Sequence, residues 1–233
     1  MGRLCSRQTM LNGVLEMTVM RQPEVRRFVV APGSAMLEFR MREPIAVPGA
    51  IRTERLLLRP LQKSDARAMF EAIEESREHL GQWLAWIPDI TRAADLEFSC
   101  ENAVTDWEYG TDFRVAILSR DDQRYLGHCG LHYPNWEVRS FEIGYWLRRS
   151  AVGQGIMREA VGGLTGYAFD TLKARRVEIH CDPNNVRSGG VAIANGYRLE
   201  GRLRDASLTP AGTLRDTLIY GMTEPDYRAR SRR

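Results

Sequence analysis

The chain has 233 residues, 43% of them hydrophobic, and a formal net charge of +3, which suits one sizeable core with extensions and leaves no apolar run near the roughly 20 residues of a membrane helix. The first 30 residues lack the compact apolar stretch and cleavage site of a secretory signal, so a cytoplasmic protein is expected. Cys5, Cys100, Cys129 and Cys181 contain no CxxC pair; they read as reduced thiols, and no metal is expected.

Residues 1–50 carry Pro23, Pro32, Pro44 and Pro48, weak periodicity and a net charge of +3. They read as a poorly ordered extension in which Phe28-Val29-Val30 could form a short strand, and Met17, Met36 and Met41 are each read as alternative starts. The domain proper is placed at 51–225. It opens with Thr53-Glu54-Arg55-Leu56-Leu57-Leu58-Arg59-Pro60, a short strand stopped by proline. Ser64-Asp65 then caps a helix to about His79, with Ala68, Met69, Ala72 and Ile73 on its inner face.

The connector Leu80–Pro88 is unusually aromatic. Trp83 and Trp86 read either as the lining of an acceptor groove or as packing between two helices. Thr91–Tyr109 is a second helix ending at Gly110, and Phe113–Leu118 with Tyr125–His132 is a hairpin. His128 and His132 share one face of their strand, which alternation alone explains. An apolar strand, Phe141–Leu147, crosses a turn holding Gly153 and Gly155 and becomes a helix with Ile156, Met157, Ala160, Val161, Leu164, Ala168 and Leu172 near helical spacing. Arg175–Asp182 is a strand, Asn185–Asn195 a helix closed by Gly196, and Tyr197–Leu203 and Leu214–Met222 are the last strands. The strand–helix–strand unit is parallel and right-handed while the other pairings are largely hairpins, which predicts a mixed sheet with helices on both faces. Residues 226–233 form a basic tail of net charge +3, leaving −3 on 51–225. Basic ends on a mildly acidic core read as solvated termini, or as a weak, salt-sensitive contact to RNA or ribosomes.

The glycine turn carries the chemistry. A helix N-terminus presents unpaired N–H groups and a partial positive charge, so the head of the helix at Ile156 is a candidate pyrophosphate cradle. The P-loop and the GxGxxG fingerprint both fail here, because only Gly153-Gln154-Gly155 is present and Arg158 stands where a third glycine would be.

The order FEIGYWL, short turn, GQGIMREAV resembles the coenzyme A-binding core of the GNAT N-acetyltransferases, with Gly155 on the matching glycine and Val152 and Met157 departing from the flanking signature. The T-E-R-L-x-L-R-P-L opening and Asn185-Val186-Arg187-Ser188 resemble the branch that acetylates ribosomal-protein serine and alanine N-termini. The resemblance spans roughly Ile51 to Pro225. It implies a mostly antiparallel central sheet with a V-shaped strand splay, and acetyl-CoA as co-substrate held by Trp146, Leu147, Val152, Gly153, Gln154, Gly155, Ile156, Met157, Asn185 and Ser188. It further implies a bulge at Gly144-Tyr145 that exposes backbone N–H groups to the thioester, Ser188 as the acid protonating the thiolate, and Glu142 as the base acting through water. Trp83, Trp86, Glu142 and Tyr145 would meet the acceptor. Ala192 stands where many family members keep an acidic tyrosine, and Ser207 stands where the ribosomal-protein branch can keep a glutamate, with Asp205 nearby.

The expected function is acetyl transfer from acetyl-CoA to a primary amine, foremost the α-amine of a protein or peptide N-terminus, by a monomer or homodimer. The alternatives are a small-molecule (antibiotic or polyamine) N-acetyltransferase and a non-catalytic coenzyme A- or ribosome-binding module.

Overall fold

The computed structural model describes residues 45–47 and 49–230, and the backbone of 8–11, 14–20 and 25–30. The chain divides into two units, Met1–Arg42 and Glu43–Arg233. In the first, β1 (Gln8–Leu11), β2 (Val14–Met20) and β3 (Val25–Val30) pair as an antiparallel meander. The sequence signals only the Phe28–Val30 part of this array.

The second unit is built on one eight-stranded sheet of order β10-β11-β9-β8-β7-β6-β5-β4. The strands are β4 (Ile51–Arg52), β5 (Leu56–Pro60), β6 (Phe113–Ser119), β7 (Tyr125–Asn135), β8 (Ser140–Leu147), β9 (Arg176–Cys181), β10 (Arg198–Leu208) and β11 (Leu214–Thr223). Every neighbouring pair is antiparallel except β8 and β9. The helices are α1 (Asp65–Gly81), α2 (Ala94–Tyr109), α3 (Ile156–Asp170), α4 (Val186–Ala194) and α5 (Glu224–Arg230).

The two-residue period of the strands divides the core. Leu56, Leu58, Val115, Cys129, Leu131, Phe141 and Ile143 point to the side of α3, where Ala160, Val161, Leu164 and Ala168 cover them. Ala116, Leu118 and Trp146 join Met69, Ala72 and Ile73 of α1 and Leu96, Cys100 and Ala103 of α2.

Helix starts differ from expectation for local reasons. Ser64 makes no side-chain cap bond; instead the Asp65 carboxylate accepts the Gln62 N–H at 2.8 Å and is gripped by both Arg59 Nη groups at 2.6 and 2.7 Å. α2 begins three residues after Thr91 because Asp95 reaches back to accept the Thr91 and Arg92 N–H groups at 2.9 and 3.1 Å, holding that stretch as a turn. Asn185 caps α4 as expected, its Oδ1 accepting the Ser188 N–H at 3.2 Å. α5 occupies part of the stretch that composition reads as a basic tail: Tyr227 stacks on Phe169 at 4.7 Å and donates to Asp170 at 2.6 Å.

The described part of the second unit is tied down near its start, where the Ile45 N–H donates to the Glu108 carbonyl at 2.8 Å. A chain beginning at Met41 is therefore expected to keep its Tm within about 4 °C, equivalent to about 1 kcal/mol for a domain of this size, and to keep coenzyme A binding. A drop beyond about 10 °C in a calorimetric scan would show that the earlier residues stabilise the domain.

Candidate active site

The site grows from the place where β8 and β9 part. Their parallel pairing covers only Ser140/Arg176, Phe141/Val177 and Glu142/Glu178, while β8 runs on to Leu147 against β7. The Arg148 N–H donates to the Leu126 carbonyl at 2.9 Å, so by the alternation of an antiparallel ladder the even residues of β8 bond to β7 and the N–H groups of Tyr145 and Leu147 point into the opening. The expected bulge at Gly144-Tyr145 is absent: the β7/β8 register is unbroken from Gly127/Leu147 to His132/Glu142. Divergence of the strands, not an extra residue, turns these donors toward a ligand.

A cleft of about 1140 Å³ opens beside them, between the end of α1 with its following connector and the N-termini of α3 and α4. It is larger than the usual small-ligand pocket of about 300–1,000 Å³. Tyr145, Trp146 and Leu147 enter it from β8, and Val152, Gly153, Gly155, Ile156 and Met157 from the turn and first residues of α3. Asn185 and Ser188 close it from α4, and Trp83 from the connector.

Gly153 and Gly155 have φ of +84° and +76°, a left-handed conformation that glycine adopts without a steric penalty. These two turns swing the chain so that the first amides of α3 head the cleft. A brace holds the loop from behind: Arg55 Nη1 donates to the Gln154 carbonyl at 3.0 Å and Nε to Glu159 at 2.7 Å, while the Thr53 hydroxyl donates to the same carboxylate at 2.6 Å. This explains why the opening T-E-R matters to a loop about 100 positions later. Arg149, Arg158 and Arg187 also line the cleft. Burial, then the charges of Arg149 and Arg187, lower the pKa of His79 beside them.

Tyr145 and Ser188 meet over the opening. The Tyr145 hydroxyl donates to the Ser188 carbonyl at 3.0 Å and lies 3.0 Å from Ser188 Oγ. Burial pushes the Tyr145 phenol up, against the Ser188 hydrogen bond, so it stays protonated. The cap of α4 uses the Ser188 backbone N–H and the Asn185 side chain, so the Ser188 hydroxyl takes no part in the cap and meets the Tyr145 hydroxyl instead.

Three expected residues lie outside the cleft wall. Gln154 turns away, its side chain donating to the Ser150 carbonyl at 2.7 Å. Trp86 packs edge-on against Trp146 at 6.5 Å, supporting the wall from behind. Glu142 sits on the sheet face that also carries Trp146, with its carboxylate 3.3 Å from His180 Nδ1; the other nitrogen of that ring is 2.8 Å from Glu178. Burial raises the Glu142 pKa, while His180 and His132 act in the opposite direction. Ser207 of β10 is engaged with Thr217 and Arg215 of β11. The Arg55–Glu159 brace and the environment of His132 escape sequence reasoning, since both depend on residues brought together only by strand pairing.

A splayed parallel pair, a glycine-turned helix N-terminus at its mouth and a hydroxyl pair form one cleft that offers backbone N–H donors and two hydroxyls to a ligand. The model of the acetyltransferase (GNAT) domain matches residues 55–198, and the chain belongs to that family. The ribosomal-protein-serine acetyltransferase of Escherichia coli (strain K12) is 27% identical over 154 residues, covering 66% of this chain and 85% of that protein. The [ribosomal protein uS5]-alanine N-acetyltransferase of the same organism is 24% identical over 182 residues, covering 76% and 92%. The structure of RimL, the ribosomal L7/L12 alpha-N-protein acetyltransferase in complex with coenzyme A, matches with a TM-score of 0.69 at 25% identity, covering 75% of this chain and 97% of that one. The protein is thus an acetyl-CoA-dependent N-acetyltransferase with the GNAT fold. No helix among the described residues is long and apolar enough to cross a membrane.

Proposed function

We propose that the acceptor is the α-amine of a protein or peptide N-terminus. The observation that carries this reading is the naming of two relatives for ribosomal-protein serine and alanine acetylation, at matches covering 66% and 76% of this chain. A cleft of about 1140 Å³ whose connector side carries Trp83 is in keeping with a large co-substrate and a peptide end. In this reading the pyrophosphate rests on the amides of residues 153–157, Asn185 and Ser188 hold the pantetheine, and the thioester carbonyl meets the Tyr145 N–H. That donor would stabilise the oxyanion as the amine attacks. Ser188 gives the departing thiolate its proton, and Glu142 is the carboxylate on the acceptor side.

Thioester consumption with acetyl-CoA, measured against peptides beginning with Ser or Ala and against polyamines and amino-sugar antibiotics, tests the acceptor. The expected result is a kcat/KM for at least one peptide about tenfold or more above that for every small amine, a difference of about 1.4 kcal/mol. The reverse order would replace the protein N-terminus by a small molecule.

A further inference from the structure

The sheet face that carries Glu142 holds a second titratable group whose ring reaches over β8 at Gly144. His132 lies on β7 directly across from Glu142, and its ring covers the neighbouring pair Gly130 and Gly144. A Cβ added to Gly130 would fall 2.6 Å from His132 Cε1 and 2.7 Å from Nε2; one added to Gly144 would fall 3.0 Å from Cδ2 and 3.2 Å from Nε2. Facing glycines weaken a sheet and mark a close approach by another group. Here they make a floor for one imidazole.

The ring is oriented by the residue that precedes β6. Asp112 Oδ1 lies 2.6 Å from His132 Nδ1, and the same oxygen accepts the Phe113 N–H at 3.0 Å. Burial works to raise the Asp112 pKa, yet the hydrogen bond of His132 and the nearby charges hold it below the usual carboxylate range. An ionised carboxylate only accepts, so it selects the tautomer with the proton on Nδ1 and leaves the lone pair on Nε2. Nε2 has no hydrogen-bond partner among the described residues and sits over Gly144, the residue before Tyr145, whose N–H points into the strand opening.

The surrounding groups suit a cationic guest that must lose a proton. His128, 6.3 Å away on the same strand, is pushed by burial to a pKa of about 3 and adds no charge. Arg114 is engaged by Asp106 of α2 and by Asp112. Glu142 faces the ring from β8, and behind it stand His180 and Glu178 of β9.

We propose that His132, oriented by Asp112, is the base that takes the proton from the acceptor ammonium, and that Glu142 across the strand holds that ammonium in place. The proposal rests on amine acetylation in this site. The ammonium gives one proton to Nε2, which later passes to water. The freed amine forms the C–N bond to the thioester carbonyl carbon and the C–S bond breaks. The second proton of the nitrogen balances the one that the thiolate takes through Ser188, so one proton is released per turnover.

The test uses the full chain, acetyl-CoA and a Ser-initiated tetrapeptide, with kcat/KM followed across pH. His132→Asn keeps an amide donor for Asp112 but cannot accept a proton. It should lose about 10²–10⁴-fold near neutral pH and recover as the pH passes the ionisation of the α-amine at about 8, with coenzyme A affinity unchanged within about threefold. Asp112→Asn should show a smaller loss with the same displacement of the acid limb, whereas Glu142→Gln should raise KM and leave that limb where it is. An unmoved limb in His132→Asn, or its loss in Glu142→Gln alone, would assign the base to Glu142 and overturn the proposal. Nitrogen NMR of His132 gives a readout independent of turnover: a proton on Nδ1 near neutral pH supports the assignment, and one on Nε2 alone defeats it. If the peptide fails but a small amine is acetylated, the same limb measured on that amine still decides the role of His132. If no amine is acetylated, the proposal falls together with the acceptor reading.

Discussion

Gly155→Asp is expected to weaken coenzyme A binding by roughly 30- to 1000-fold, about 2–4 kcal/mol, while the protein stays folded. The size follows from placing a carboxylate about 4 Å from phosphate charge in a partly exposed site, where two unit charges interact with about 4 kcal/mol. Two local effects protect the fold. The added Cβ would meet only Arg55 Nη2, at 3.5 Å, and an aspartate at a helix N-cap offsets part of the left-handed strain by accepting the amides that the phosphate otherwise uses. Gly155→Ala carries the strain without the charge and should lose much less. Calorimetric titration of both variants checks the assignment, and an affinity within about threefold of wild type for the aspartate variant would remove the pyrophosphate from this loop.

Ser188→Ala should lower kcat and kcat/KM together by about 10²–10⁴-fold, a rise of about 3–5 kcal/mol in barrier, with little change in coenzyme A affinity, because proton donation to the thiolate is an interaction made only in the transition state. A purely structural hydroxyl would behave differently. The Asn185 cap on the Ser188 N–H survives the substitution, so stability should change by less than about 1 kcal/mol. Tyr145→Phe belongs beside it, since that hydroxyl is 3.0 Å from Ser188 Oγ. Full activity in Ser188→Ala together with a large loss in Tyr145→Phe would transfer the acid role to the tyrosine.

Much of this was readable from the chain because its signals are local. The Phe141–Leu172 stretch announces strand, turn and helix by its own periodicity, and Asn185 with Gly196 marks both ends of α4. What was not readable depends on pairing. Nothing in FEIGYWL says that β9 leaves it after Glu142, so the bulge that the resemblance implies at Gly144-Tyr145 takes the place of a divergence only strand pairing shows. His132 looks like one of two histidines on a strand face until the Gly130/Gly144 register and Asp112 are placed around it. Glu142 and Tyr145 are near in sequence, but a strand sends Glu142 to one side of the sheet and Tyr145 to the other. α5 was hidden because a short Arg-rich helix owes its existence to what it docks on.

That docking bears on how the protein opens. Tyr227 and Arg228 of α5 bind Asp170 at the far end of α3, and Arg230 reaches the Asn195 carbonyl at the far end of α4. Both helices are pinned at the ends remote from the cleft, while their N-terminal turns border it. In hydrogen exchange, the amides at the C-terminal ends of α3 and α4 should therefore open only with the whole domain. Those around Ile156 and Ser188 should exchange by local fraying and slow markedly when coenzyme A is bound.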